Sequence, residues 1–91
     1  MQSDPKKLLK KHQQLNQTDG LKVDSHVQRE VGEWVLHTLV CAGIEPPFKF
    51  KRQRKYKSLQ GQRVNVTYYR DEERVAGITM EVMRVVRIKI S

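Results

Sequence analysis

The sequence is poor in the residues that build covalent or membrane-embedded scaffolds, and each shortage excludes a class of protein. A single cysteine, Cys41, permits no internal disulfide, which suits a reducing compartment without requiring one. No stretch approaches the ~18 apolar residues that a membrane-spanning helix needs, and the basic start lacks the apolar run of a secretory signal. We therefore expect a soluble, intracellular protein, with the cytoplasm as the default location.

The sequence also lacks recognisable catalytic, metal or cofactor motifs. Glu33 and His37 have a spacing that would suit a metal or a proton-transfer pair on a helix, but no third ligand follows at a usable spacing. The acidic cluster at residues 71–73 lacks the spacing and the glycine of a calcium loop, and no Gly-rich phosphate loop is present. Cys41 lies among apolar residues, which favours a small core residue over a nucleophile. We predict no enzymatic activity, no metal and no cofactor.

The chain has 91 residues, which allows a single domain with a thin core. A domain of ~60 ordered residues buries only ~60% of its unfolded surface, so subunits that share apolar surface would gain stability. A homodimer is therefore one open alternative.

Positive charge is abundant and unevenly distributed. The net charge is +8, and residues 48–91 carry twelve cations against four acids, whereas residues 23–47 carry one cation against four acids. Residues 1–22 have five lysines and two acids in a largely polar stretch, which predicts a flexible basic tail ahead of a single domain at 23–91. This tail would either order on a polyanion or remain a solvated, solubilising segment.

A helix is predicted from about residue 27 to residue 42. Ser25 and Gln28 have the spacing of a capping box, and Gly43 followed by two prolines would end the helix. Apolar residues fall at helical spacing along one stripe, which would pack on a sheet or on a second subunit: Val27, Val31, Trp34, Val35, Thr38 and Ala42.

From Phe48 onward the residues are typical of strands. Phe48 and Phe50 alternate with Lys49 and Lys51, which places the rings on one face and the cations on the other. Val64, Val66 and Tyr68 predict a second strand after a turn around Gly61, residues 70–74 a charged connection, and residues 75–90 a long strand or two strand pieces with a bulge near Arg84. The predicted fold class is α+β: one main helix on a small, strongly twisted antiparallel sheet of three to four strands.

Residues 63–71 (RVNVTYYRD) followed by 75–82 (VAGITMEV) resemble the first hairpin of Sm-like and other small barrel domains. The resemblance covers less than a quarter of the chain and implies a small RNA-binding barrel. A helix before the first strand also fits that family. The family's later strands and RNA-binding loop residues have no counterparts here, so no site residue is carried over.

The segment from Phe48 to Lys57 holds six cations and three aromatic residues and no acid. Such a surface attracts polyanions, so we expect phosphate contacts from the cations and base stacking on the tyrosine. The candidate nucleic-acid-binding residues are Lys49, Lys51, Arg52, Arg54, Lys55, Tyr56, Lys57 and Arg63. The prediction is a non-catalytic RNA- or DNA-binding protein, and the alternative is an adaptor or oligomeric subunit that docks an acidic protein partner.

Overall fold

A computed structural model describes residues 15–91, and this part of the chain is all-β. Five strands form one closed barrel in the order β1-β2-β3-β5-β4. Their bounds are β1 Asn16–Val31, β2 Trp34–Cys41, β3 Ile44–Arg52, β4 Arg63–Val75 and β5 Ile78–Ile90. Neighbouring strands are antiparallel except β3 and β5, which pair in parallel at Phe48 with Met83 and at Lys49 with Arg84.

The predicted α+β class is wrong, because the segment expected to be a helix forms a β-hairpin. Gly32 and Glu33 make a two-residue turn between β1 and β2, and Gly32 has a φ of 63°, a conformation that glycine enters without a Cβ clash. The apolar residues at helical spacing include many β-branched side chains, which pack well on a pleated surface. On β2 the side chains of Val35, His37 and Leu39 point into the barrel.

The strands predicted after Phe48 are present, with different boundaries. Phe48 and Phe50 are buried while the neighbouring lysines lie outside, as the alternation predicted. Residues 70–74 are not a connection: they continue β4, and the turn comes at Ala76 and Gly77, whose φ values of 51° and 81° suit a type I′ turn. The register shift on β5 falls at Val86, opposite Thr67 and Tyr68 and two residues beyond Arg84, near which the bulge was predicted.

β1 is long and curved, and it extends further towards the N-terminus than the domain predicted from the sequence. Its first part pairs with β4 and its second part pairs with β2, with register shifts after Thr18 and after Val23. Residues 16–22, assigned to the tail from sequence, belong to this strand. The rest of the expected tail, residues 1–14, lies outside the described residues.

The core fills the barrel interior. Among residues 15–91 it contains eleven packed residues, of which Val23, Leu39, Phe48, Val64 and Val66 are fully buried. Burying one such side chain contributes about 1.5–3 kcal/mol, so a few of these residues account for much of the stability of a small domain. Cys41 is buried, as the sequence predicted.

Residues 53–62, which we call the strap, run from the end of β3 back along β1. Backbone hydrogen bonds join Gly61 N to Val23 O at 2.8 Å and Val23 N to Gln62 O at 2.9 Å. Further along, the Gln28 side chain donates to Tyr56 O and accepts from Tyr56 N, both at 2.8 Å. The strap therefore covers the edge of β1 that β4 leaves unpaired, which protects that edge from pairing with another chain.

Candidate nucleic-acid interface

A groove runs between the β1–β2 hairpin and the β4–β5 hairpin, over the outer face of β3. Its volume is about 390 Å³ and all five strands contribute to its walls. We call it the hairpin groove, and its lining residues are Val27, Arg29, Leu36, His37, Thr38, Lys49, Phe50, Lys51, Tyr69, Glu73, Arg84 and Val85.

At the β4–β5 side of the hairpin groove, cations are matched by acids. Lys49 Nζ lies 2.8 Å from Glu73 Oε1, while Arg84 contacts Glu73 at 3.1 Å and Asp71 at 3.2 Å. The hydrogen bond from Lys49, with the nearby charges of Lys49 and Arg84, holds the pKa of Glu73 below its usual value although partial burial opposes this. Two cations face two carboxylates here, so this end has little excess charge for a polyanion.

At the other end of β3 the cations form no ion pair with any acid among residues 15–91. Lys51, Arg52 and Arg54 surround a shallow depression with Trp34, Gln53 and Tyr56, and none of these lining residues is acidic. Lys51 Nζ lies 5.3 Å from the centroid of the Trp34 ring, within cation–π range, and Trp34 is 42% exposed. We call these six residues the Trp34 patch. It combines positive charge with an accessible aromatic ring.

The remaining predicted site residues are divided between other environments. Lys55 forms an exposed ion pair with Glu30 at 3.3 Å, a contact worth at most about 1 kcal/mol. Lys57 is exposed on the strap, and Arg63 donates to the carbonyl of Gly20 at 2.9 Å. The structure thus brings Lys51, Arg52, Arg54 and Tyr56 together around one depression, whereas Lys49, Lys55, Lys57 and Arg63 lie outside its lining.

Tyr56 lies in the strap with its ring half-buried. The ring centroid is 4.6 Å from His37 and 5.9 Å from Phe50, so the tyrosine packs on top of the core. Its main role in the structure is to attach the strap to the barrel, while one part of it still lines the Trp34 patch.

Beneath the strap, two histidines form a continuous hydrogen-bond chain. Leu59 N donates to His26 Nδ1 at 2.9 Å, so this nitrogen carries no proton, and His26 Nε2 then donates to His37 Nδ1 at 2.9 Å. His37 Nε2 in turn faces the carbonyl of Arg54 at 3.4 Å. The directions of the donors require both rings to be neutral with the proton on Nε2. We call this arrangement the histidine chain.

Burial supports the neutral state of the histidine chain. His37 is 1% exposed and stacks on Phe50 with ring centroids 4.6 Å apart. Burial lowers the pKa of both histidines; the neighbouring His37 lowers that of His26 further, and for His37 the carbonyl of Arg54 opposes the effect while the charge of Arg52 adds to it.

Sequence reasoning missed Trp34 as a site residue, because the predicted helix placed it in the core. It also missed Arg29, Tyr69 and Arg84, which reach the hairpin groove from β1, β4 and β5. The signal for Trp34 was Gly32, because glycine is favoured at the first position of a two-residue hairpin turn, and such a turn would have placed Trp34 at its tip.

The described residues show none of the alternative chemical sites. Within residues 15–91, no group of three or more His, Cys, Asp or Glu side chains could hold a metal ion. Glu33 lies exposed in a turn while His37 is buried, so this pair does not share a surface. Burial, with a smaller effect of Asp24, raises the pKa of the Cys41 thiol to about 11, so it is protonated at neutral pH.

Among residues 15–91, no helix has the length and apolar character needed to cross a membrane.

Comparison with known proteins finds no matching family model, no similar curated protein and no similar solved structure. The hairpin that resembles Sm-like domains is the last pair of strands in this barrel, β4 and β5, and no helix among residues 15–91 precedes it. The chemistry of the surface itself is therefore the guide to function.

Proposed function

We propose that the protein is a non-catalytic nucleic-acid-binding protein that takes a single strand across the Trp34 patch and into the hairpin groove. The observation that carries the proposal is the cluster of Lys51, Arg52 and Arg54 around the exposed ring of Trp34, with no acid in its lining. Cations supply sequence-independent affinity for phosphates, and an exposed aromatic ring offers a stacking surface that any unpaired base can use.

The topology supports the same proposal by analogy. A five-stranded closed barrel with β1 paired to both β2 and β4, and β3 parallel to β5, has the arrangement of OB-type barrels. Such barrels bind oligonucleotides or oligosaccharides over strands 2 and 3 and between the loops that join β1 to β2 and β4 to β5. The Trp34 patch and the hairpin groove occupy that position. Fold alone does not establish function, so the analogy only adds to the argument from charge and stacking.

A single strand fits this surface better than a duplex. The hairpin groove is a concave space of about 390 Å³ between the two hairpins. Stacking on Trp34 requires an unpaired base. Phosphate contacts from lysine and arginine carry little sequence information, so we expect weak sequence preference.

The test uses the intrinsic fluorescence of Trp34, the only tryptophan in the sequence. Titration with a single-stranded deoxythymidine oligomer should quench the emission, and the affinity should fall steeply with salt. A ribo-oligomer and a duplex of the same length are the comparison ligands. Absence of quenching and of binding at low salt would refute the proposal, and equal affinity for the duplex would refute its single-strand part.

A second candidate is an oligomeric subunit, favoured by the exposed apolar tip of the β4–β5 hairpin. Val75, Ile78 and Met80 are 51%, 65% and 50% exposed around the turn. Contiguous apolar surface of this kind is common at protein interfaces. Sedimentation at low and high concentration tests it: an Ile78→Asp variant should lower the mass of any oligomer, and a wild-type monomer at all concentrations would exclude it.

A further inference from the structure

The barrel wall is incomplete beside the C-terminal part of β5. β5 pairs with β4 along its whole length, but its other edge pairs with β3 only at Met83 and Arg84. From Val85 to Ile90, no backbone ladder within residues 15–91 covers that edge. An opening of about 430 Å³ separates it from the strap, and its lining residues are Arg54, Lys55, Tyr56, Lys57, Leu59, Val64, Ile88, Lys89 and Ile90. We call this space the β5 opening.

The floor of the β5 opening is apolar. Ile88 and Ile90 pair with Val66 and Val64, which are fully buried, so the two isoleucines lie on the side of β5 that faces the barrel interior. Ile90 is nevertheless 62% exposed. A core-facing side chain that remains open to solvent indicates a position where another apolar group would be buried on binding.

The rim of the β5 opening is basic. Arg54, Lys55 and Lys57 contribute cations from the strap and Lys89 from β5, and the lining includes no acid. Only Lys55 among these four forms an ion pair within the described part of the chain, with Glu30. The occupant that complements this rim carries negative charge.

We propose that the β5 opening binds an extended acidic peptide segment of a partner protein, which adds as a strand along the unpaired edge of β5. The backbone of such a segment would pair with residues 85–90, and its alternate side chains would lie on Ile88, Ile90 and Leu59. Its acids would meet Lys57 and Lys89. This assigns a partner class to a surface that adjoins the Trp34 patch and shares Arg54 and Tyr56 with it.

A peptide suits the β5 opening better than a nucleic acid does. The floor consists of aliphatic side chains, and Tyr56, its one aromatic residue, is packed against His37, so the opening lacks the exposed ring faces on which bases stack. An unpaired strand edge offers backbone donors and acceptors in the register of another strand, which a polynucleotide cannot match.

The test measures binding of a fluorescein-labelled eight-residue peptide in which aspartate alternates with valine. We expect saturable binding of this peptide and none of a control peptide with lysine in place of aspartate. Lys57→Glu and Lys89→Glu should each weaken binding by at least about fivefold, because each reverses a charge at the rim. The matched control Arg74→Glu, at the distant tip of the β4–β5 hairpin, should change it less than about twofold.

Two further measurements identify the binding mode. Methylation of alternate backbone nitrogens of the peptide should weaken binding by about tenfold or more, because it removes donors needed for strand pairing. Amide NMR shifts should change at residues 85–90 and 54–59. Unchanged affinity of the methylated peptide, absence of binding to the wild type, or shifts centred on Trp34 would each overturn the proposal.

Crossed variants separate this inference from the nucleic-acid proposal. Lys51→Glu should weaken oligonucleotide binding and leave the peptide affinity within about twofold, while Lys89→Glu should do the reverse. If the oligonucleotide instead shifts residues 85–90 and displaces the peptide, the β5 opening is part of the nucleic-acid surface and the peptide proposal is wrong.

Discussion

Two lysines on the same face of β3 have opposite electrostatic surroundings. Lys49 lies 2.8 Å from Glu73 under the β4–β5 hairpin, whereas Lys51, two residues further on, lies beside the ring of Trp34 and forms no ion pair among residues 15–91. The two residues are identical in type and direction. The neighbouring hairpin, rather than the basic segment itself, therefore decides which cations remain available to a partner.

The acids of the neighbouring hairpins form ion pairs with only some of the cations on and near β3. β4 brings Asp71 and Glu73 over the middle of β3, where they hold Lys49 and Arg84. At the far end of β3, the tip of the β1–β2 hairpin brings Glu30, which pairs with Lys55 of the strap. The Trp34 patch lies between these two acidic contacts, and its cations are the ones we assign to phosphate binding.

Removing the unmatched charges should have the largest effect. The triple substitution Lys51→Gln, Arg52→Gln and Arg54→Gln should weaken single-strand binding by roughly 100-fold at low salt and reduce the slope of log K against log salt by about 2. Fluorescence titration over a salt series measures both. The matched control neutralises Lys22, Arg74 and Arg87, which are exposed outside the patch and the groove; an equal loss in this control would show that net charge alone governs binding.

Removing the aromatic ring should have the next largest effect. Trp34→Ala should cost about 1–3 kcal/mol of binding free energy with an unchanged salt slope, since stacking involves no counterion release. Because the substitution removes the fluorophore, anisotropy of a labelled oligonucleotide is the measurement. Trp34→Phe should recover part of the loss. A change in the salt slope would mean that Trp34 acts by positioning Lys51 rather than by stacking.

Acid should loosen the strap that carries part of the Trp34 patch. The folded-state pKa values of His26 and His37 lie below the usual 6.5, so the unfolded chain binds protons first as the pH falls. Stability should therefore be fully present above pH 6.5 and decrease as the pH falls through 6.5 towards the folded-state values. Lowering of the Glu73 pKa adds a separate loss at more acidic pH, below its usual value of 4.5.

Urea unfolding between pH 8 and pH 5 measures this effect. Replacement of both histidines, as His26→Leu with His37→Leu, should flatten the dependence between pH 7 and pH 5, even though it lowers stability at every pH. Nitrogen-15 shifts of the rings provide an independent check on the histidine chain, which requires protonation on Nε2 in both residues. If the free energy of unfolding of the wild type did not change between pH 8 and pH 5, the histidine chain would be contradicted.

Removing an acid from the β4–β5 side of the hairpin groove should have the smallest effect on oligonucleotide affinity, and this effect should be an increase. Glu73→Gln frees Lys49 and weakens the hold on Arg84, so single-strand affinity should rise about two- to fivefold while stability falls by about 1 kcal/mol. Thermal unfolding and fluorescence titration together measure the two changes. Weaker oligonucleotide binding in this variant would mean that the groove needs the Glu73 network intact.

Parts of the fold could be predicted from the sequence because their patterns are local. Phe48 and Phe50 point inward, and Val64, Val66 and Tyr68 line the core on a second strand, since strict alternation has one interpretation on a half-buried strand. The residues around Val35, which form β2, do not show this strict alternation and could not be assigned to a strand from it. His37 interrupts the apolar alternation of β2, although it is buried, because its two ring nitrogens find partners only in the folded barrel.

The candidate site was predictable in composition and not in arrangement. The composition of the basic segment predicts an affinity for anions. Its cations are distributed among the Trp34 patch, the β4–β5 side of the hairpin groove and the β5 opening, and this distribution depends on residues far away in sequence. Trp34, Glu73 and Lys89 come from three different strands. The sequence from Phe48 to Lys57 does not indicate which of its cations lie near each of these three residues.

A small, basic domain with a buried cysteine and an outward row of cations on β3 could be predicted from the sequence, because charge and alternation are properties of neighbouring residues. Tertiary contacts close the barrel, and among residues 15–91 they neutralise Lys49 but not Lys51 and leave one edge of β5 unpaired. These features could not be predicted from the sequence, because ion pairs, stacking and strand pairing act over a few ångströms between residues that are distant along the chain. Barrel closure sets those distances.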